Sequence, residues 1–300
     1  MLYLFIASVL WAPSFGLIKY NLAGLDSNFI AWARLLVSFL VFVPFLRPGA
    51  VAGKLAGKLV ALGAIQYGLM YMSYTCSFQF LSAHQVALFT IFTPLYVTLI
   101  HDLLDRKFHR VFLLTALLAV AGTAIIVYSE IGEVLQTTLI GFLIVQISNI
   151  CFAIGQVYYR KLMGPNRGVR DRDVFAWLYL GAVLSTVLPA CLTTGGFRLC
   201  LSGDQILTLL YLGIVPSGIG FFLWNVGAVR TNAGTLAVFN NAKIPLAIMC
   251  ALVVFGEHVQ SPWRLATGAA VILAAVTMNE KHGKIRSHSP PPGSDTECVD

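Results

Sequence analysis

The sequence predicts an all-α integral membrane protein with ten transmembrane helices, arranged as two inverted five-helix repeats. Three observations carry that expectation. The chain is 58% hydrophobic and only 11% charged over 300 residues, more apolar than a soluble core of that size requires. Its apolar residues fall into blocks of roughly 18–24, long enough to cross a hydrocarbon core of about 30 Å as helix. Two of these blocks, about 150 residues apart, read as versions of one helix. Ala83, Ala87, Phe89 and Pro94 of the fourth block align with Ala233, Ala237, Phe239 and Pro245 of the ninth. A repeat after an odd number of crossings inserts its two halves upside down to each other. Strands are excluded because no block shows the alternation of a membrane barrel, and a span in lipid must satisfy its own backbone.

The first span, 2–20, carries Trp11, Pro13 and Ser14. It has no basic stretch before it and no small-x-small cleavage site after it, so it reads as a retained helix and not a signal peptide. The second, 28–46, holds Arg34 about two turns inside its end. Such an arginine reaches the interface or pins neighbouring carbonyls; the alternative is that it adds positive potential to a cavity. The third, 58–80, places the Gln66-Tyr67 pair, Tyr71 and Tyr74 at three- to five-residue intervals and hence on one face, with Gln79 near its end. The fourth, 82–103, holds His84 near one end, Thr90 at mid-depth and Pro94 as a hinge. As a histidine, His84 is a candidate proton site; an interfacial hydrogen-bonding role is the other reading.

The fifth span is 110–129, and an outer loop over 129–138 joins the halves. Gln146, Asn149 and Gln156 lie on the sixth span, 138–161. A polar inner loop rich in Arg, Gly and Asp leads into the seventh, 174–194. The eighth, 205–229, carries Trp224 and Asn225, and the ninth, 232–255, carries Asn240, Asn241, Lys243 and a second hinge proline, Pro245. The tenth, 262–279, has Ala266, Ala270 and Ala274 at four-residue spacing, which suits close internal helix packing or, alternatively, a homodimer face. Glu257 and Arg264 flank the turn before it and are expected to pair. The expected domains are therefore 1–130, the first repeat; 137–281, the second; and 282–300, a disordered cytosolic tail.

With the N-terminus in the cytosol, fifteen Lys and Arg fall in inside loops and three in outside loops or span ends. That bias sets both termini inside and accounts for the +7 net charge without nucleic acid as a partner. The expected location is a bacterial inner membrane. The cysteines show no metal-ligand spacing, and no metal or cofactor is called for. A Cys191–Cys200 disulfide is sterically conceivable on the outer side.

The repeat, the Trp11 region, Tyr211-Leu-Gly-Ile-Val-Pro-Ser-Gly-Ile-Gly-Phe-Phe-Leu-Trp-Asn225 and Ile244-Pro-Leu-Ala-Ile-Met-Cys-Ala-Leu-Val-Val-Phe-Gly-Glu257 together resemble the EamA branch of the drug/metabolite transporter superfamily. The resemblance spans residues 1–280. It implies two five-helix repeats around a central cavity, lined mainly by helices one, three, four, six, eight and nine. It also implies transport of metabolites such as amino acids and their derivatives, usually outward. One departure is visible: the fourth span ends Asp102-Leu-Leu-Asp-Arg-Lys107 where the family usually has Gly-Glu, as Gly256-Glu257 ends the ninth.

Lys243 is the sharpest chemical signal. It sits near the middle of its span, roughly 15 Å from either surface at 1.5 Å per residue, too deep for its stem to snorkel out. A charge there costs at least about 2.5–3.5 kcal/mol, so it must face a cavity or a partner. Asn240 shares its face, and Pro245 frees the Asn241 carbonyl nearby. Lys243 either binds a substrate carboxylate or is tied structurally to those groups. No Asp or Glu lies in the middle of any span, which disfavours a cationic drug and favours a substrate bearing a carboxylate.

Substrate contacts are expected at Lys243, Asn240, Asn241, Trp11, Tyr71, Tyr74, Gln66, Thr90, Gln156, Trp224 and Asn225. Any single amide among them serves equally well as glue between helices. The expected activity is export of a small amino acid or derivative, including opine-like metal chelators. The alternative is import or exchange of another organic acid, a vitamin or a nucleotide-like metabolite. A receptor would have only the short tail as an interaction element, and an intramembrane enzyme would need a catalytic constellation that no span supplies.

Overall fold

The computed structural model describes residues 1–47, 49, 51–104, 114, 117–118, 121–122, 125, 133–166, 168–196, 200–230, 233–258 and 261–287, with the side chains of 133–135, 233–238, 242, 276 and 279–287 excepted. All regular structure among these residues is helical: α1 Leu2–Asn21, α2 Ser27–Phe45, α3 Gly53–Ser77, α4 Ala83–Leu104, α5 Glu133–Met163, α6 Asp171–Thr193, α7 Gly203–Arg230, α8 Ala233–Val253 and α9 Pro262–Ser287. The first seven are long and apolar enough to cross a membrane; α8 and α9 contain the shorter apolar stretches Phe239–Val253 and Pro262–Ala275. Most of the expected fifth span, 110–129, lies outside the described residues, as does the tail from 288. Helix α9 runs past the expected boundary at 279, to Ser287.

Local chemistry sets the starts. The Asp26 carboxylate accepts the Phe29 amide at 2.9 Å and caps α2. Ser82 with Gln85, and Ser202 with Gln205, form complete capping boxes at α4 and α7. Helix α3 begins five residues before the expected span, because Gly53–Gly57 winds helically before the continuous apolar run starts.

Three helices contain π-helical segments. Leu17–Asn21, Ala64–Leu69 and Gly213–Gly220 are π-helical, a widening that frees backbone groups and that recurs at functional sites. In α7, where Pro216 interrupts the ladder, three carbonyls are taken by side chains from other helices. Ser38 donates to Gly213 at 2.7 Å, Trp11 Nε1 to Pro216 at 2.9 Å, and the Tyr179 hydroxyl to Ser217. In α4 the winding tightens to 3₁₀ over Thr90–Phe92, just before Pro94; α8 continues as α-helix through Pro245.

Helix α2 packs on α6, α1 on α7 and α8, and α4 on α5 and α8. The α3–α6 crossing is a reciprocal backbone contact: a Cβ on Gly63 would meet the Leu178 carbonyl, and one on Gly181 the Val60 carbonyl. Residue 122 lies against Gly268 and Ile272 of α9. Ala266, Ala270 and Ala274 are exposed, which corrects the expectation that they pack internally; Gly268, Ile272 and Ala275 form the inward face instead. Cys191 and Cys200 are free thiols, one half-buried on α6 and the other exposed, so the conceivable disulfide is not formed.

Candidate functional site

The helices enclose a cavity of about 510 Å³, its open mouth included. Helix α1 contributes Trp11, Ser14 and Phe15, α3 Met70, Tyr71 and Tyr74, and α4 Thr90 and Thr93. Ser148, Asn149 and Phe152 come from α5, Phe221 from α7 and Lys243 from α8. These helices correspond to the six implied by the family resemblance, and α2 adds Arg34.

Among the described residues, two cations and no acid line this space. Lys243 is 6% exposed. Its Nζ lies 5.1 Å from the centroid of the Trp11 ring and 5.4 Å from that of Phe152, close enough for cation–π attraction. Among the described residues it has neither a carboxylate nor a hydrogen-bond acceptor. The expected structural tie to Asn240 is not made: the Asn240 amide nitrogen donates instead to Gln156 Oε1 at 3.3 Å.

Arg34 is 1% exposed and does not reach the interface. Its Nη2 donates to Tyr71 Oη at 3.1 Å and Ser217 Oγ at 3.0 Å, and its Nε to Ser217 Oγ at 3.3 Å. The two hydroxyls are 2.9 Å apart and bonded to each other. The guanidinium also stacks over Tyr71, 4.5 Å from the ring centroid. Its partners are therefore hydroxyls, not the carbonyls expected from its place in the span. Position along a helix gives depth, but which way the side chain faces depends on the neighbours.

The expected contact residues divide into two layers. Trp11, Tyr71, Tyr74, Thr90 and Lys243 line the cavity. Behind Trp11, Phe152 and Phe221 lies Trp224, fully buried, its ring centroid 5.0 Å from that of Trp11 and 6.2 Å from that of Phe152. Gln66, Asn225, Gln156 and Asn240 belong to this second layer. The Gln66 amide nitrogen donates to Asn225 Oδ1 at 3.2 Å, and the Asn225 amide to Tyr67 Oη at 2.9 Å. Gln66 Oε1, Gln156 Nε2, Asn240 Oδ1, Asn241 Oδ1 and Trp224 Nε1 are buried and without partners among the described residues. An aromatic floor thus separates an open cationic chamber from a closed polar layer.

Phe152, Phe221, Thr93 and Ser148 were not expected in the site. Phe152 was detectable in principle, because it lies three residues from Asn149 and so shares its helix face.

At the end of the bundle where α1 finishes and α4 starts, Glu257 joins three elements. Gly256, at φ 65°, turns the chain after α8 and presents the carboxylate. Glu257 accepts from the Ala83 amide at 2.7 Å, the His84 amide at 2.9 Å and the Tyr20 hydroxyl at 2.8 Å, and lies 2.6 Å from His84 Nδ1. The unsatisfied amides of a helix N-terminus, with its partial positive charge, attract the carboxylate to this place. Burial alone would raise its pKa; the bonds from His84, Ala83 and Tyr20 outweigh this and draw the carboxyl down to about 2.

A family model described as the EamA-like transporter family matches residues 1–128 and 139–279. The biotin transporter of Escherichia coli K12 is 40% identical over 94% of this chain and 93% of its own length. The probable biotin transporter of Pseudomonas aeruginosa is 41% identical, over 93% and 97% respectively. A probable amino-acid metabolite efflux pump of Salmonella typhimurium is 22% identical, over 90% and 91%. One solved protein structure, 20% identical, superposes with a TM-score of 0.64 over 92% of this chain and 95% of that one, a likeness of fold alone.

Proposed function

We propose that this chain, which belongs to the EamA-like transporter family, carries a carboxylate-bearing vitamin of the biotin kind across the bacterial inner membrane and takes its carboxylate at Lys243. The chain is a multi-pass membrane protein of a transporter family acting on a small molecule, and the remaining detail is our reading. The observation that carries it is the burial of Lys243 in a cavity wall with no anion beside it among the described residues. A bound carboxylate would offset the cost of that charge, and the aromatic rings around it suit an apolar body behind the acid group.

Export of an amino-acid derivative was the leading expectation from the sequence. The relatives favour the vitamin alternative: those at 40–41% identity are named biotin transporters, and the amino-acid pump is only 22% identical. Biotin satisfies the same chemical demand, a single carboxylate on an apolar chain.

Ten helices in two inverted repeats, over 1–130 and 137–281, with both termini cytosolic, remain our proposal for the architecture. Support comes from the two separate family matches, and from the pairing of α2 with α6 and of residue 122 with α9. A two-fold relating the halves would pair those same helices. In this reading the polar layer holding Gln66, Asn225, Gln156, Asn240 and Asn241 is the closed half of the pathway. Trp11 and Trp224 form its gate, Pro94 and Pro245 permit bending, and His84 holds the outer end shut.

The test is flux of labelled biotin into liposomes carrying the purified protein. Saturable flux, competed by excess biotin and not by biotinamide, is the expected result. Flux of acylated amino acids without flux of biotin would return the reading to its alternative.

A further inference from the structure

The proposed carboxylate site accounts for one cation in the cavity and leaves Arg34 without a role. Arg34 is no spare copy of Lys243, because most of its donors are already committed. Nη2 serves Tyr71 and Ser217, and Nε serves Ser217. Only Nη1 is left, buried and without a partner among the described residues, on a side chain that lines the cavity. A carboxylate is best bound by a guanidinium through two parallel bonds from neighbouring nitrogens. Here Nε and Nη2 are already filled by hydroxyls that are themselves bonded to each other, so no pair of neighbouring nitrogens is free and only the N–H groups of Nη1 are left for one acceptor atom. That is the requirement of a carbonyl oxygen.

We propose that Arg34 is a second recognition residue, which reads a neutral carbonyl of the amide or urea type at the opposite end of the substrate from the carboxylate. The proposal rests on the carboxylate reading of Lys243. A substrate with both features presents an acid at one end of an apolar chain and an uncharged polar ring at the other, as biotin does with its ureido group. Tyr71 and Ser217 are positioning residues: by holding Nη2 they fix the plane of the guanidinium and the direction of Nη1.

The experiment compares biotin, biotinamide and 2-iminobiotin as competitors of labelled biotin on the full-length protein in lipid nanodiscs. Biotinamide removes the carboxylate charge, and 2-iminobiotin replaces the ureido oxygen with a protonated nitrogen. Wild type should bind each analogue about 10- to 100-fold more weakly than biotin, the range for losing a hydrogen bond to a charged group. Arg34→Gln should abolish discrimination against 2-iminobiotin and retain that against biotinamide; Lys243→Gln should do the reverse. Should Arg34→Gln not fold, Ser217→Ala keeps the guanidinium but loosens its plane, and should lower 2-iminobiotin discrimination several-fold with the biotinamide ratio intact.

An unchanged 2-iminobiotin ratio in the folded Arg34→Gln protein, or in Ser217→Ala when that variant stands in for it, overturns the role of Arg34 and leaves Lys243 untouched. A dicarboxylate of similar length that outcompetes biotin on wild type would overturn the neutral-acceptor assignment. No biotin binding by wild type overturns both readings together.

Discussion

Glu257 Oε2 lies 2.6 Å from His84 Nδ1, and the same carboxylate caps the first turn of α4 through the Ala83 and His84 amides. One side chain from the turn after α8 thereby closes the helix that carries Thr90 and Pro94, and Tyr20 ties in the end of α1.

This latch has a defined pH dependence. The Glu257 carboxyl is drawn down to about 2 in the folded protein, so its stabilisation is fully present above its ordinary value of 4.5 and is lost as pH falls toward 2. The melting temperature of Glu257→Gln should lie below wild type at pH 6. The margin should shrink between pH 5 and pH 3. A gap that widens on acidification would contradict the linkage.

Lys243→Ala should reduce biotin flux by at least about 100-fold while the protein is still inserted and monodisperse, because removing the cation leaves a desolvated carboxylate unpaired. Lys243→Arg should recover only part of the flux: the guanidinium is wider and would be crowded between Trp11 and Phe152. Full activity in the alanine variant would dismiss the site.

Trp11 has two separable duties, a ring for Lys243 and an N–H for the Pro216 carbonyl. Trp11→Phe keeps a ring and orphans the carbonyl, so it should cost about 1–3 kcal/mol of stability and change biotin affinity by less than about tenfold. Trp11→Leu should lose both. Melting curves and binding isotherms of the two variants, read side by side, check the separation.

The Gln66–Asn225 bond distinguishes glue from pathway. A double-mutant cycle with Gln66→Leu and Asn225→Leu should give a coupling near 0.6 kcal/mol in stability, the average for such bonds between membrane helices. If the pair also lines the closed half of the route, each variant should slow flux without changing equilibrium binding at the chamber. Flux unaltered in both would make the pair glue alone.

Much of this was legible before any coordinates. Lipid leaves the backbone few options, so block length alone located eight of the described helix pairs of ends to within five residues, the far end of α9 being the exception. The burial of Lys243 and Arg34 is legible from their places inside apolar blocks. Azimuth is not: the hydroxyl partners of Arg34 and the outward face of Ala266, Ala270 and Ala274 depend on neighbouring helices. Long-range pairing was equally hidden. Glu257 and His84 are 173 residues apart, and no local spacing connects them. The π-helical segment at Gly213 had a partial signal in Pro216 among its glycines, while that at Ala64–Leu69 had none, because a widened turn needs no particular residue.

The crossing at Gly63 and Gly181 bears on how this gene can vary. At each glycine the obstacle to a larger residue is the partner helix's carbonyl, not a side chain. Trimming a neighbouring side chain therefore cannot make room, and ordinary compensatory substitution is closed off. A selection for revertants of Gly63→Val should return the original glycine codon or shift the whole helix through distant changes, and should rarely yield a single suppressor at the contact. Two positions far apart in the reading frame are thus constrained together by a surface that neither of their side chains forms.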